Sequence, residues 1–374
     1  MNAPAPRSGR IASIDWLRGF VMLLMVLDHV SMAYNAGHDG RDSAALYEPG
    51  TTWTPLAFLT RWVTHICAPV FVFLAGTALA ISVERRVHRG VDARDIDVGM
   101  IKRGLFIAVL DPTLVSFFSG RWTFQVLFAI GMAMVCMAVL RRLPTLGLVL
   151  LGVGWFAAQD AITGLVWDPS DATPSLLSAF LGAQYSAADL VVKYPLVPWL
   201  AMMVLGWAFG RYVLARAQEP TRIVRGLVLG GAACLVVFLV VRGINDYGNA
   251  WLLRDDGSWM QWLHVSKYPP SLTFTALEFG LMAWLLALMM VLERRIGVRP
   301  NGVLLVFGQT AMFFYLVHRI VLEGSATWLG LRGCTGLGMT YVITVVLLAA
   351  LYPLCRWYRA LKKRHKGATW TSYL

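Results

Sequence analysis

Residues 10–34, RIASIDWLRGFVMLLMVLDHVSMAY, hold an apolar run long enough to cross a membrane, with charge at both ends. Arg10, Asp15 and Arg18 bracket its start, and Asp28 and His29 stand side by side near its far end. A helix over 13–34 rises about 1.5 Å per residue, which puts Arg18 and His29 about 16 Å apart along the axis. One helix therefore offers a cation toward one membrane face and an ionisable pair toward the other. The run is not a cleavable signal peptide: it is too long, carries Asp28 and His29, and lacks a small-residue cleavage site after it.

The rest of the chain repeats this apolar character. Of 374 residues, 57% are hydrophobic and 14% charged, with a mean hydropathy of +0.61. Soluble domains carry about 25% charged residues. Hydropathy marks ten segments: 13–34, 55–83, 100–119, 122–140, 145–165, 191–213, 223–243, 270–292, 302–324 and 337–357. The expected fold is an all-α polytopic membrane protein of about ten transmembrane helices (10–11), one domain over 1–374 without internal repeats. The net charge of +12 does not mark a nucleic-acid binder, because Lys and Arg sit in short clusters between apolar runs. With a cytoplasmic N-terminus, that side holds 23 Lys and Arg and the other side 7, while Arg18, Arg61 and Arg319 lie within spans. This bias predicts both termini inside. The five cysteines form no CxxC, so neither a disulfide framework nor a zinc site is expected. Three long outer connections, 35–54, 166–190 and 244–269, carry Asp, Asn, Trp, Tyr and Gly in place of basic runs, the composition of functional loops.

Ionisable side chains at the bilayer centre cost about 2.5–3.5 kcal/mol on insertion scales, so each needs a partner or a wet cavity. The candidates are Asp28 with His29, Arg61 with His65, Asp111, Glu278, His318 with Arg319, and Glu323. Counting residues along each span brings His29, His65, Glu278 and His318 to one outer layer and leaves Asp15 and Arg18 near the cytoplasmic face. Plainer readings stand beside this one. Asp15 and Arg18 are spaced to pair with each other at a helix start. Arg61 near a helix end is placed to snorkel, His65 to bond a backbone carbonyl, and Asp111 before Pro112 to mark a kink. Gly76, Gly131, Gly206, Gly210 and Gly308 suit close helix packing. The absence of GxSxG, Walker and HExxH motifs leaves hydrolase, NTPase and zincin chemistry unsupported. A layer of His, Glu and Arg suits acid–base catalysis; the alternative is a proton-coupled small-molecule transporter, and a non-catalytic scaffold comes third.

RIASIDWLRGFVMLLMVLDH resembles the opening of the heparan-α-glucosaminide N-acetyltransferase-like family of membrane proteins, in particular its bacterial branch. TRWVTHICAPVFVFLAG (60–76), YPLVPWLAMMVLGWAFGR (194–211), SKYPPSL (266–272) and FGQTAMFFYLVH (307–318) continue the match in the family's order. The spacing D-x2-R-x10-H of Asp15, Arg18 and His29 also resembles membrane acyltransferases that acetylate envelope polysaccharides, in which the histidine ending this helix is catalytic. The chain departs from the animal lysosomal enzyme, which has Asn in place of His29 and its catalytic histidine in the following loop, where His38 is the nearby histidine here.

The resemblance implies a multi-pass protein of the bacterial cytoplasmic (inner) membrane. It would move an acyl group, expected to be acetyl, from cytoplasmic acyl-CoA (acetyl-CoA) to a glycan or small-molecule acceptor on the outer side. Membrane lipid is a further expected partner, and a homodimer is carried over from the animal relatives. Arg18, with Asp15 beside it and help from Arg10 or the basic 85–103 loop, is the expected site for CoA phosphates, since Arg makes short charge-assisted bonds to phosphate. His29 is the expected general base, oriented by Asp28 or Glu278. His65, His318, Lys267 and Tyr268 are the candidate oxyanion donors, and Lys267, Tyr268 and Arg61 the candidate acceptor contacts. No metal is called for.

Overall fold

The computed structural model describes residues 11–118, 120–170 and 175–365. In chain order the helices are α1 (Ala12–Tyr34), α2 (Pro55–Trp62), α3 (Cys67–His88), α4 (Ala93–Leu110), α5 (Val126–Leu140), α6 (Thr145–Thr163) and α7 (Leu176–Leu181). Then come α8 (Leu196–Ala215), α9 (Pro220–Ile244), α10 (Trp259–Leu263), α11 (Leu272–Ile296), α12 (Val303–Gln309), α13 (Ala311–Trp328) and α14 (Leu337–Arg364). The expected all-α, polytopic architecture is present. Among the described residues seven helical spans are long and apolar enough to cross a membrane, or eight if the bent pair α12–α13 counts as one, against about ten read from hydropathy. Segment 100–119 falls short because α4 gives way at Asp111–Pro112 to a π-helical turn, Asp111–Val115. Segment 122–140 yields only the 15 residues of α5. A three-stranded sheet of β1 (Trp122–Phe124), β2 (Tyr185–Ser186) and β3 (Leu190–Val192) was not expected; β3 lies between the other two, parallel to β1 and antiparallel to β2.

Helices α3 and α8 are the most enclosed spans, whereas α6, α9 and α14 present most of their apolar surface outward. A solvent-like lipid face gives helices no hydrophobic reason to associate, so small residues that let backbones touch carry the packing. A Cβ on Gly76 of α3 would fall 2.2 Å from the Met203 carbonyl oxygen, and one on Gly206 of α8 would fall 2.1 Å from that of Phe73. Helices α1 and α12 cross as closely: a Cβ on Gly19 would meet the Leu304 oxygen at 1.9 Å, and one on Gly308 the Asp15 oxygen at 1.9 Å. The chain then turns by 91° between α12 and α13. Thr310 at the break bonds back to Val306 O at 2.9 Å, taking up a carbonyl that the interrupted helix leaves open. Hydropathy alone reads 302–324 as one span; the structure divides it at Thr310, with α12 packed against α1.

A second break sits between α2 and α3, where Val63–Ile66 form a turn, so His65 lies outside regular helix. Arg242, fully buried at the end of α9, ties down the connection that follows. Its guanidinium donates to the carbonyls of Leu252 (2.7 Å), Gln261 (2.6 Å), Trp262 (3.3 Å) and His264 (2.5 Å), and to Asn249 Oδ1 (2.9 Å). The segment that delivers Lys267 and Tyr268 is thereby anchored.

Gly308→Val is expected to lower thermal stability in detergent by about 1–3 kcal/mol or more, the usual cost of overpacking. Gly154→Val, whose added atom meets nothing within 4 Å, serves as the neutral control. Arg242→Leu leaves those acceptors without their donor and is expected to open the 245–263 connection to protease; resistance equal to wild type contradicts the anchoring role.

Candidate active site

The helical stretch FFYLVH of α13 places Phe314, Tyr315 and His318 toward α1, one turn apart. His29 and His318 lie with parallel rings, centroids 5.0 Å apart and planes at 6°. His29 Nδ1 is 2.7 Å from His318 Nε2, and His318 Nδ1 is 2.9 Å from the Phe314 carbonyl oxygen. A carbonyl only accepts, so His318 Nδ1 carries the proton that donates to it. In the neutral ring Nε2 is then a bare acceptor, and His29 Nδ1–H donates to it. The chain of bonds leaves His29 Nε2 as the lone-pair nitrogen. It has no hydrogen-bond partner among the described residues and is not sealed from access. The side chain that bonds His29 is therefore His318, and not Asp28 or Glu278 as expected.

Asp28 points elsewhere. Its carboxylate accepts from Arg61 Nη1 and from Thr64 Oγ1 at 3.1 Å. Arg61 also donates to Asp42 Oδ2, through Nε at 3.0 Å and through Nη2, and His65 Nε2 lies 3.1 Å from Asp42 Oδ1. Arg61 is therefore the hub of a buried network and does not snorkel. Burial pushes the loop carboxyl Asp42 up, but Arg61 and His65 outweigh it and hold it well below the usual carboxylate range. Its carbonyl accepts from the backbone N–H groups of Lys267 (2.9 Å) and Tyr268 (3.2 Å). That is how the 35–54 connection, α2 and the 266–271 segment lock together. Tyr268 hydroxyl is 3.4 Å from that of Tyr194, and Lys267 Nζ sits 5.4 Å from the Tyr268 ring centre. Glu278 is 1% exposed and neither carboxylate oxygen has a hydrogen-bond partner. His38, in the loop after α1, bonds Ser31 Oγ at 3.0 Å and lines a small cleft with Asp28, Asn35, Asp39 and Arg61.

At the other end of α1, Arg18 Nη1 is 3.2 Å from both Asp15 Oδ1 and the Gly308 carbonyl oxygen. The helix-start pair exists, yet Arg18 still lines two adjoining cavities. One, of about 500 Å³, has a basic rim of Arg85, Arg86 and Arg89. The other, of about 310 Å³, runs from Arg18, Arg103 and Lys362 to Tyr315. Arg18, Ala78 and Ser82 belong to both walls. The Tyr315 ring is 6.3 Å from that of His29, edge to face. Tyr315, on the wall of the inner cavity, thus stands next to the histidine pair. Arg10 lies outside the described residues. Among those described, no three His, Cys, Asp or Glu side chains gather as a metal site requires.

Tyr315, Asp42 and Phe314 were missed by sequence reasoning. Tyr315 had a signal, since it precedes His318 by three residues and shares its helix face. Asp42 had none: a carboxylate in a long loop discloses its partner only when the loop folds. No curated protein matches the chain. The family model described as heparan-alpha-glucosaminide N-acetyltransferase, catalytic, matches residues 10–242, a region that carries α1 with Arg18 and His29, the Arg61–His65 segment and the Arg85–Arg103 rim. Covering more than half of the 374 residues, this match shows that the chain belongs to the heparan-alpha-glucosaminide N-acetyltransferase catalytic family.

Proposed function

We propose that this protein transfers an acetyl group from cytoplasmic acetyl-CoA to an acceptor on the far side of a bacterial cytoplasmic membrane. The whole chain would act as a single transmembrane unit. Family membership supports the transmembrane acetyltransferase class, and the bias of Lys and Arg supports a cytoplasmic basic rim. The observation that carries the reading is the pair of adjoining cavities, basic at Arg85, Arg86 and Arg89, sharing Arg18 as a wall, with Tyr315 of the inner wall next to His29. A nucleotide phosphate group suits guanidinium groups at the entrance. A slender, uncharged arm suits the apolar walls formed by Phe71, Leu79, Ile107 and Met134.

In this reading Arg18, Arg86, Arg89 and Arg103 hold the CoA phosphates, and the thioester reaches the end of the inner cavity. The acceptor, a sugar hydroxyl or amine, approaches from the cleft lined by His38, Asn35 and Arg61. His29 Nε2 takes its proton as the oxygen or nitrogen bonds to the thioester carbon. The C–S bond then breaks and the proton passes to the departing CoA sulfur. His318 holds the tautomer that makes Nε2 the base and steadies the positive charge His29 gains. Asp28, Arg61, Asp42 and His65 hold the outer loops against α1 and so shape the acceptor cleft.

With labelled acetyl-CoA and envelope glycan, His29→Ala is expected to lose about 10²–10⁴-fold in transfer rate, the usual worth of a general base; full transfer sinks the assignment. His318→Ala is expected to cost about 10²-fold through misorientation. His318→Gln keeps an acceptor for His29 Nδ1–H and should recover part of that loss. Arg18→Gln removes a charge-assisted bond and should raise KM for acetyl-CoA about 10–100-fold with little change in kcat. An unchanged KM assigns Arg18 to its Asp15 pair alone.

A further inference from the structure

The inner end of the cavity holds polar atoms that the scheme above does not use. Tyr315 is 6% exposed and its hydroxyl has no hydrogen-bond partner among the described residues. Arg319 follows four residues later on α13, hence on the same helix face. It is also 6% exposed. Its Nη2 pairs with Glu323 Oε1 at 3.1 Å, while among the described residues Nε and Nη1 have no acceptor. Across from them Asp111 is fully buried; its Oδ2 caps α5 by accepting from the N–H groups of Gln125 (3.0 Å) and Phe128 (2.7 Å). Buried donors without acceptors are rare in native proteins, and each calls for a missing water or ligand atom. Here the hydroxyl belongs to a residue that lines the cavity and stands 6.3 Å, ring to ring, from the base.

We propose that the Tyr315 hydroxyl, with the Arg319 guanidinium behind it, receives the thioester carbonyl oxygen and carries the negative charge that develops there. This rests on the acetyl-CoA reading above. The four donors suggested by sequence are less suited. His318 is committed to His29 and Phe314, and His65 faces Asp42. Lys267 and Tyr268 belong to the outer segment that Asp42 anchors. Tyr315 is a neutral donor in a dry site, which binds an uncharged carbonyl weakly and an oxyanion strongly; that difference is what accelerates a reaction. As the nucleophile adds, the carbonyl π pair moves onto oxygen and is held by Tyr315 O–H; as the C–S bond breaks, the pair returns and the thiolate leaves. Arg319 keeps its charge throughout, and its tether to Glu323 fixes its position.

The test uses the full-length protein in lipid nanodiscs, with thiol release from acetyl-CoA in the presence of envelope glycan, alongside acetyl-CoA binding and melting temperature. Tyr315→Phe deletes one oxygen. It is expected to lower kcat about 10²–10³-fold, as loss of one oxyanion donor does, while acetyl-CoA affinity and melting temperature stay within threefold and a few degrees of wild type. Arg319→Gln should lower kcat similarly, and Arg319→Lys, which keeps the charge, should recover part of it. A kcat for Tyr315→Phe within threefold of wild type overturns the proposal. So does a melting loss that accounts for all the missing activity, which assigns Tyr315 to packing. If Tyr315→Phe does not fold, the Gln and Lys replacements of Arg319 decide: equal kcat in the two overturns it. A wild-type protein that binds no acetyl-CoA removes the parent reading and this one with it, whereas wild-type turnover with undiminished Tyr315→Phe removes this one alone.

Discussion

Where α1 crosses α12, backbone lies on backbone. Gly19 rests against the Leu304 carbonyl and Gly308 against that of Asp15, at separations no Cβ could occupy. In a membrane, where burying apolar surface does little to hold helices together, such contact is a main source of packing energy. Its consequence is geometric. α12 is held flat against the first turns of α1, so the chain bends by 91° before α13 begins. That bend exposes the Gly308 carbonyl to Arg18 and sends His318 to meet His29. One close crossing thus places two groups of the proposed reaction path, the cation shared by the two cavities and the base next to Tyr315.

Charge is handled in two ways along this path. At one place Arg61 is engaged by Asp28 and Asp42, and Asp42 in turn faces His65 and accepts from the N–H groups of Lys267 and Tyr268. A buried ion pair stripped of one partner leaves a costly lone charge, so this Arg61–Asp28–Asp42 cluster behaves as structure. Beside the inner cavity the reverse holds. His29 Nε2, the Tyr315 hydroxyl and two Arg319 nitrogens lack partners among the described residues. Their placement on α1 and α13, both of them regular helices, fixes the groups before any substrate arrives. Stabilisation by groups already in place needs no reorganisation as charge develops. In the proposed reading the Arg61 network is the rigid frame and the cluster beside the inner cavity the reactive part.

Much of the fold was legible in the sequence. Hydropathy is additive along the chain, so α1, α3, α6, α8, α9, α11 and α14 were marked by composition alone. The glycines named for packing do pack, because a missing Cβ lets neighbouring membrane helices approach backbone to backbone. His29 and His318 stood out because ionisable groups inside a membrane are too costly to be incidental; Arg18 stood out as the cation at the other end of α1, and the family resemblance added its expected role toward CoA. Breaks were harder to see. Thr310 and Val63–Ile66 interrupt apolar runs that contain no proline at the break, since tertiary contact, not local propensity, ends the helix there.

What the sequence by itself determined is therefore the list of groups: a membrane-spanning α-helical chain, a basic side, and a small set of intramembrane His, Arg, Asp and Glu residues. Only the tertiary structure decided the pairings. It gave His29 to His318 and Asp28 to Arg61, kept Arg18 on the cavity wall despite its Asp15 bond, and left Tyr315 with its hydroxyl unspent. The reason is directional. Apolarity and charge can be counted along the chain, but a hydrogen bond depends on distance and angle between atoms that may be nearly three hundred residues apart, as the 289 between His29 and His318 are.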